Sequence, residues 1–83
     1  MQHLDMVKNI LKNVLSLNDD FVSNSNASTN LLGAIPEFDS MAVVSVITVL
    51  EDEFDIFIED DEISGEVFDT IGSLTLFVDS KTL

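Results

Sequence analysis

The chain has no cysteine, and its three basic residues are outnumbered by 16 acidic ones, a net charge of −13 over 83 residues. Without cysteine there is no disulfide, no thiolate nucleophile and no Cys metal site. The shortage of lysine and arginine argues against nucleic acid, whose phosphates need cations, and against an anionic membrane surface. Between Lys12 and Lys81 no cation occurs, yet 15 of the 16 acids lie there. A partner with a basic patch, or bound divalent cations, suits that balance. No apolar run approaches the roughly 18–20 residues of a membrane span. The start, Met1-Gln2-His3-Leu4-Asp5, lacks a basic stretch followed by an apolar one. A secretory signal is therefore not expected, and cytoplasm is the expected compartment.

Glycine and proline are also scarce, at three and one. Against these absences stands a hydrophobic content of 46%, enough for a core and against the disorder that high net charge alone would suggest. A chain this short holds one core, so residues 1–83 read as one domain. Self-repulsion among so many acids should be large. Salt or millimolar divalent cations are therefore expected to raise the melting temperature, as a thermal scan with and without magnesium would show. A midpoint indifferent to both would mean that the acids are better spaced than the sequence suggests.

Apolar periodicity predicts a helix over 4–15, with Leu4, Val7, Leu11 and Val14 on one face and Ile10 and Leu15 widening it. Asp5 and Lys12 suit its dipole. Residues 18–39 read as a long connection, polar from Ser23 to Asn30 and punctuated by Gly33 and Pro36. Leu31, Leu32 and Ile35 imply that part of it packs down. Such length usually marks function or disorder.

A helix over 40–54 follows, started by a cap at Asp39 or Ser40. Met41, Val44, Ile47 and Leu50 recur every three residues, with Val43, Val46, Val49 and Phe54 as a second apolar row. So much apolar circumference predicts burial against several neighbours. Glu51-Asp52-Glu53 crowds the end, where the dipole disfavours anions, so those acids are expected to serve something other than helix stability. A short helix is expected over 60–68, facing Ile63, Val67 and Phe68 inward and weakened by Gly65. A last one is expected over 71–81, capped by Asp69 or Thr70, with Ile71, Leu74, Phe77 and Val78 inward. The sum is an all-α fold, a small bundle of three longer helices and one short one.

Most site chemistry is absent. The one histidine, His3, is expected to be a solvated terminal residue, too mobile for a Ser-His-Asp site. Asp60, Glu62, Ser64 and Gly65 match the opening of a calcium loop, but its twelfth position is Ile71, where a bidentate Glu is needed. No specific metal site is expected, although the ten acids of residues 37–62 could bind divalent cations diffusely or form a solvated face. No Gly-rich phosphate loop occurs. What remains is Asp39-Ser40-Met41. Read blandly, it is a helix cap. Read for chemistry, it is a serine open to modification, where a phosphate ester would meet the positive end of a helix dipole and Asp39 could help an incoming enzyme place a metal ion.

With those residues in view the chain resembles the acyl carrier proteins over nearly its whole length. The likeness lies in a first helix, a long loop, Asp39-Ser40-Met41, an acidic helix ending Leu50-Glu51-Asp52-Glu53-Phe54, a short helix and a closing helix. The resemblance implies a non-enzymatic carrier. Ser40 would hold a covalent 4′-phosphopantetheine, Asp39 would assist its attachment, and Met41, Glu51, Asp52 and Glu53 would meet partners. Those partners would be a phosphopantetheinyl transferase and acyl-loading and acyl-transfer enzymes with basic docking patches, meeting a monomeric carrier. The arm supplies the thiol that the chain lacks, and tethering replaces free diffusion of the cargo. The family often shelters a fatty chain between its helices.

Two departures narrow the reading. Met41 stands where leucine is usual. Ala42 and Ser45 stand where many carriers of fatty acid synthesis place acids, which implies a dedicated carrier with a less charged surface beside Ser40. Pro36-Glu37-Phe38-Asp39-Ser40-Met41-Ala42-Val43-Val44 is similar to carriers of exosortase and exopolysaccharide gene clusters. A peptidyl or aminoacyl carrier would share the same motif, and an unmodified acidic interaction module would use Ser40 only as a cap.

Overall fold

The computed structural model describes residues 3–31 and 39–82, and for Ser40 and Asp60 the backbone alone. Four α-helices occur among them: α1 (Leu4–Leu15), α2 (Asp19–Asn24), α3 (Ser40–Phe54) and α4 (Ile71–Lys81), with a 3₁₀ turn at Asp60–Glu62. The first helix packs against the other three. Val7, Ile10, Leu11 and Leu15 of α1 meet Val46, Ile47 and Leu50 of α3 and Ile71, Leu74 and Val78 of α4 in one core, joined by Leu31, Ile58 and Phe68. Thr75, buried among them, donates its hydroxyl proton to the Ile71 carbonyl at 2.7 Å, so its oxygen costs little there. Among the described residues no helix is long and apolar enough to cross a membrane.

Helix ends have local causes. Ser16 and Asp55 turn α1 and α3 off in the left-handed region, φ 56° and 53°. Thr70 begins α4, exchanging hydrogen bonds with Ser73 in a capping box. Asp69, the other residue expected to cap that helix, instead accepts the Leu31 amide on its carbonyl at 2.8 Å.

Two of the expected elements need correction. The connection over 18–39 contains α2. Asn18 caps it, accepting the Phe21 amide at 2.7 Å, and Asp19 and Asp20 lie in its first turn, where the dipole welcomes anions. None of its six residues is buried, so it left no apolar period to read. The short helix over 60–68 shrinks to the single 3₁₀ turn, with irregular turns at residues 65–68. A Cβ placed on Gly65 would meet nothing within 4 Å, so no close packing there calls for a glycine, and its backbone freedom weakens a helix. Phe68 is nonetheless buried, with Ile63 and Val67 against the core. Leu31 packs down as expected; Leu32, Gly33, Ile35 and Pro36 lie outside the described residues.

The lysines act as staples. Lys8 donates to the Ser25 carbonyl at 3.0 Å, Lys12 pairs with Asp19, and Lys81 pairs with Glu62. The Lys81 ammonium beside Glu62, helped by the Glu59 amide contact, holds that carboxyl below its ordinary range. His3 is not a solvated terminal residue. Its side chain is about 20% exposed, its ring lies 4.9 Å from that of Phe54, and its Nε2 hydrogen-bonds with Thr82 Oγ1 at 3.1 Å. Its backbone N–H also donates to Asp79 at 3.2 Å. One residue thus joins the ends of α1, α3 and α4.

The stretch after α2 is fixed to the start of α4. Ile71 and Gly72 donate to the carbonyls of Thr29 and Ala27, both at 2.9 Å. A Cβ on Gly72 would stand 2.6 Å from the Ala27 carbonyl oxygen, a backbone atom that cannot swing aside. Gly72→Ala should therefore lower stability by about 1–2 kcal/mol despite alanine's higher helix propensity. A thermal melt followed by circular dichroism checks this; an unchanged or higher midpoint would show that the contact relaxes freely.

Candidate functional site

The start of α3 settles which residue is the cap. Asp39 is extended, at φ −100° and ψ −173°, and its Oδ1 accepts the Ala42 amide at 2.9 Å. Its carbonyl accepts the Val43 amide at 3.0 Å. Ser40 is therefore the first helical residue, one position past the cap. The bland reading of Ser40 as the residue that starts the helix belongs to Asp39 instead. The Ser40 side chain itself lies outside the described residues.

From residue 41 to residue 50 the helix carries no charge. Its inward positions, Val46, Ile47 and Leu50, are buried, but Met41 is 78% and Val44 63% exposed. The expected burial on several sides is thus corrected. Only one side of α3 meets the bundle, and the every-three row that begins with Met41 and Val44 starts in solvent. At 100° per residue, Ser45, Thr48 and Asp52, all exposed, share that outer side.

A groove of about 370 Å³ runs beside it, lined by Val44, Ile47, Thr48, Glu51, Phe57, Ile58, Glu59 and Ile63. Ile47 and Ile58 are its buried floor, and Phe57 is 70% exposed. The helix-end acids divide. Glu51 is half-buried and its Oε2 accepts the Ile58 amide at 2.9 Å, which ties down the chain after α3. That bond gives Glu51 a structural task of its own. Asp52 is exposed on the outer side. Glu53 lies instead along a second groove between α1 and α3, with Met6, Asn9 and Val49. Of the four partner contacts expected from sequence, the structure thus sets Met41 and Asp52 at opposite ends of the outer side, Glu51 in the groove beside it and Glu53 apart. Nothing in the sequence marks Val44 and Phe57 as surface residues. Val44 reads as core by its spacing, and Phe57 falls between periodic segments.

Among the described residues no group of three His, Asp or Glu side chains could hold a metal ion. For a covalent phosphate ester at residue 40 the surroundings fit. The helix dipole points its positive end there, a neighbouring residue already performs the capping, and the chain offers no thiol of its own.

No family model matches the chain. It is similar to curated acyl carrier proteins from strains of Clostridium perfringens, 31% identical over 78 residues, covering 94% of this chain and 95% of theirs. It is also similar to a holo acyl carrier protein from Nitrosomonas europaea whose structure was solved in solution by NMR. Identity there is 57% and the TM-score 0.89, covering 98% of this chain and 96% of that one. Helix order, the serine at the start of α3 and these likenesses converge: the chain belongs to the acyl carrier protein family.

Proposed function

We propose that this protein carries acyl groups as thioesters on a 4′-phosphopantetheine arm attached to Ser40, in the cytoplasm and as a monomer. It presents them to the enzymes of a specialised lipid, polyketide or exopolysaccharide-linked pathway. Asp39 assists attachment, and Met41, Glu51, Asp52 and Glu53 are partner contacts. The observation that carries this reading is the capping of α3 by Asp39, which leaves a serine at the first helical position of a family member without cysteine. The arm, once attached, supplies the thiol that holds the cargo. Attachment needs a transferase. The serine oxygen forms a bond to the pantetheine-bearing phosphorus of coenzyme A, the pyrophosphate bridge breaks, adenosine 3′,5′-bisphosphate leaves, and the hydroxyl proton passes to a base of the transferase. The chain's own part is to hold residue 40 at a helix end and to present a face beside it.

Intact-mass spectrometry after incubation with a phosphopantetheinyl transferase, coenzyme A and magnesium tests the proposal. One arm per chain is the expected gain, and an unmodified chain would refute it. Charging the product with a fatty-acyl ligase, but not with an amino-acid adenylating enzyme, would then separate an acyl from an aminoacyl carrier.

A further inference from the structure

Sulfur is scarce in this chain. It has no cysteine, and its three methionines are Met1, Met6 and Met41. Before the arm is attached, a peroxide therefore meets no thiol on the protein, only thioethers. Exposure separates the two that the structure describes. Met41 is 78% exposed and Met6 45%. Met6 also lies along the grooves that α1 forms with α2 and with α3, so neighbours cover part of its approach. Oxidation of sulfur follows access, which puts Met41 ahead. Position gives that exposure a consequence. Ser40 is flanked by the exposed Asp39 on one side and the exposed Met41 on the other. Neighbouring Cα atoms are about 3.8 Å apart, so an enzyme whose atoms must reach the residue 40 oxygen lies close to both. A carboxylate does not react with peroxide at neutral pH; a thioether does. The sulfoxide is polar where the thioether was apolar and adaptable. The fold has little reason to respond, because this side chain is in solvent and Asp39 caps α3. An enzyme closing on residue 40 must respond, because it has to desolvate the new oxygen or give up the contact.

We propose that Met41 is an oxidative modification site that controls arm attachment. Hydrogen peroxide or an organic hydroperoxide converts it to the sulfoxide, and the oxidised chain is a poor acceptor of the arm. In that step the sulfur lone pair attacks the terminal peroxide oxygen, an S–O bond forms and the O–O bond breaks. Sulfur loses two electrons to the peroxide. The proton on the transferred oxygen passes to the departing hydroxide or alkoxide, which leaves as water or alcohol. The change is reversible, since methionine sulfoxide reductases restore the thioether. This rests on the carrier reading above and adds regulation of the same site.

The test uses the full chain without its arm, treated with hydrogen peroxide and freed of it before assay. Glutamate-specific cleavage leaves Met41 as the one methionine of peptide 38–51 and Met6 in peptide 1–37. In a time course, tandem mass spectrometry should find the added oxygen on Met41 before Met6. Attachment kinetics follow, with a phosphopantetheinyl transferase, coenzyme A and magnesium, read by intact mass. The KM for the oxidised parent should rise about three- to tenfold, with kcat within about twofold. Its melting temperature should stay within about 4 °C of the untreated chain. Methionine sulfoxide reductases of both epimer specificities should restore KM. M6L should respond to peroxide as the parent does, and M41L should have the same KM before and after treatment. The proposal is overturned, while the carrier reading stands, by Met6 oxidising first, by an unchanged KM in the oxidised parent, by an M41L chain that loses attachment as the parent does, or by a loss that comes with collapse of the melting midpoint. An untreated parent that accepts no arm overturns both.

Discussion

Ser40→Ala should abolish arm attachment completely while leaving the melting temperature within about 4 °C of the parent. The two halves of this expectation have separate physical causes. Attachment needs a nucleophilic oxygen at residue 40, and alanine has none. Stability does not need it, because the capping hydrogen bond to the Ala42 amide comes from Asp39 and alanine is the best helix former. Asp39→Ala should show the reverse balance for the fold, losing a cap worth about 1 kcal/mol. Intact mass after incubation with transferase, beside a thermal melt of each variant, reads both quantities. An equal mass gain on Ser40→Ala would place the arm elsewhere, and a collapse of that variant's fold would return Ser40 to a purely structural role.

Leu74→Ala should be the most damaging single truncation to the bundle, at about 2–5 kcal/mol. Leu74 is fully buried in α4, within the cluster that also holds Val7 and Leu11 of α1 and Leu50 of α3. Removing its side chain opens a cavity where three helices meet. A chain of this length has a total stability of about 4–12 kcal/mol at the usual 0.05–0.15 per residue. The loss therefore takes a large share, equivalent to roughly 12–24 °C for a 3 kcal/mol change. The acids make the remainder smaller at low salt. Urea titration of both forms, in magnesium so that the variant begins folded, gives the difference directly. A loss below 1 kcal/mol would mean that the neighbours close the cavity and that this part of the core is softer than its burial indicates.

The three long helices were legible because their apolar residues repeat over more than two turns. Val7, Leu11, Leu50, Leu74 and Val78 are inside as that repeat requires. Legibility failed where structure rests on polar contacts. Six residues capped by Asn18 and buried nowhere leave no period, so nothing in the sequence separates α2 from a loop. His3 looked solvated because composition does not reveal that its ring meets Phe54, 51 positions away in the chain. The site divides in the same way. The serine, its aspartate and the acidic helix end stand in a recognisable order. Which oxygen caps the helix and which apolar side chains stay in solvent are matters of geometry. Val44 and Ile47 have the same spacing from their neighbours and opposite fates, 63% exposed against 8%, since the helix turns by 300° between them. The Glu51 bond to the Ile58 amide depends on the left-handed turn at Asp55, and no periodicity encodes that turn.

The central claim is that this hydroxyl bears the arm in the cell. Glutamate-specific cleavage of protein purified from its source releases residues 38–51 as one peptide, whose hydroxyl side chains are Ser40, Ser45 and Thr48. Tandem mass spectrometry of that peptide should find the 4′-phosphopantetheinyl mass on fragments that retain Ser40, and none on fragments that carry only Ser45 and Thr48. The same peptide recovered bare throughout, or with the arm on another side chain, would contradict the account at its root.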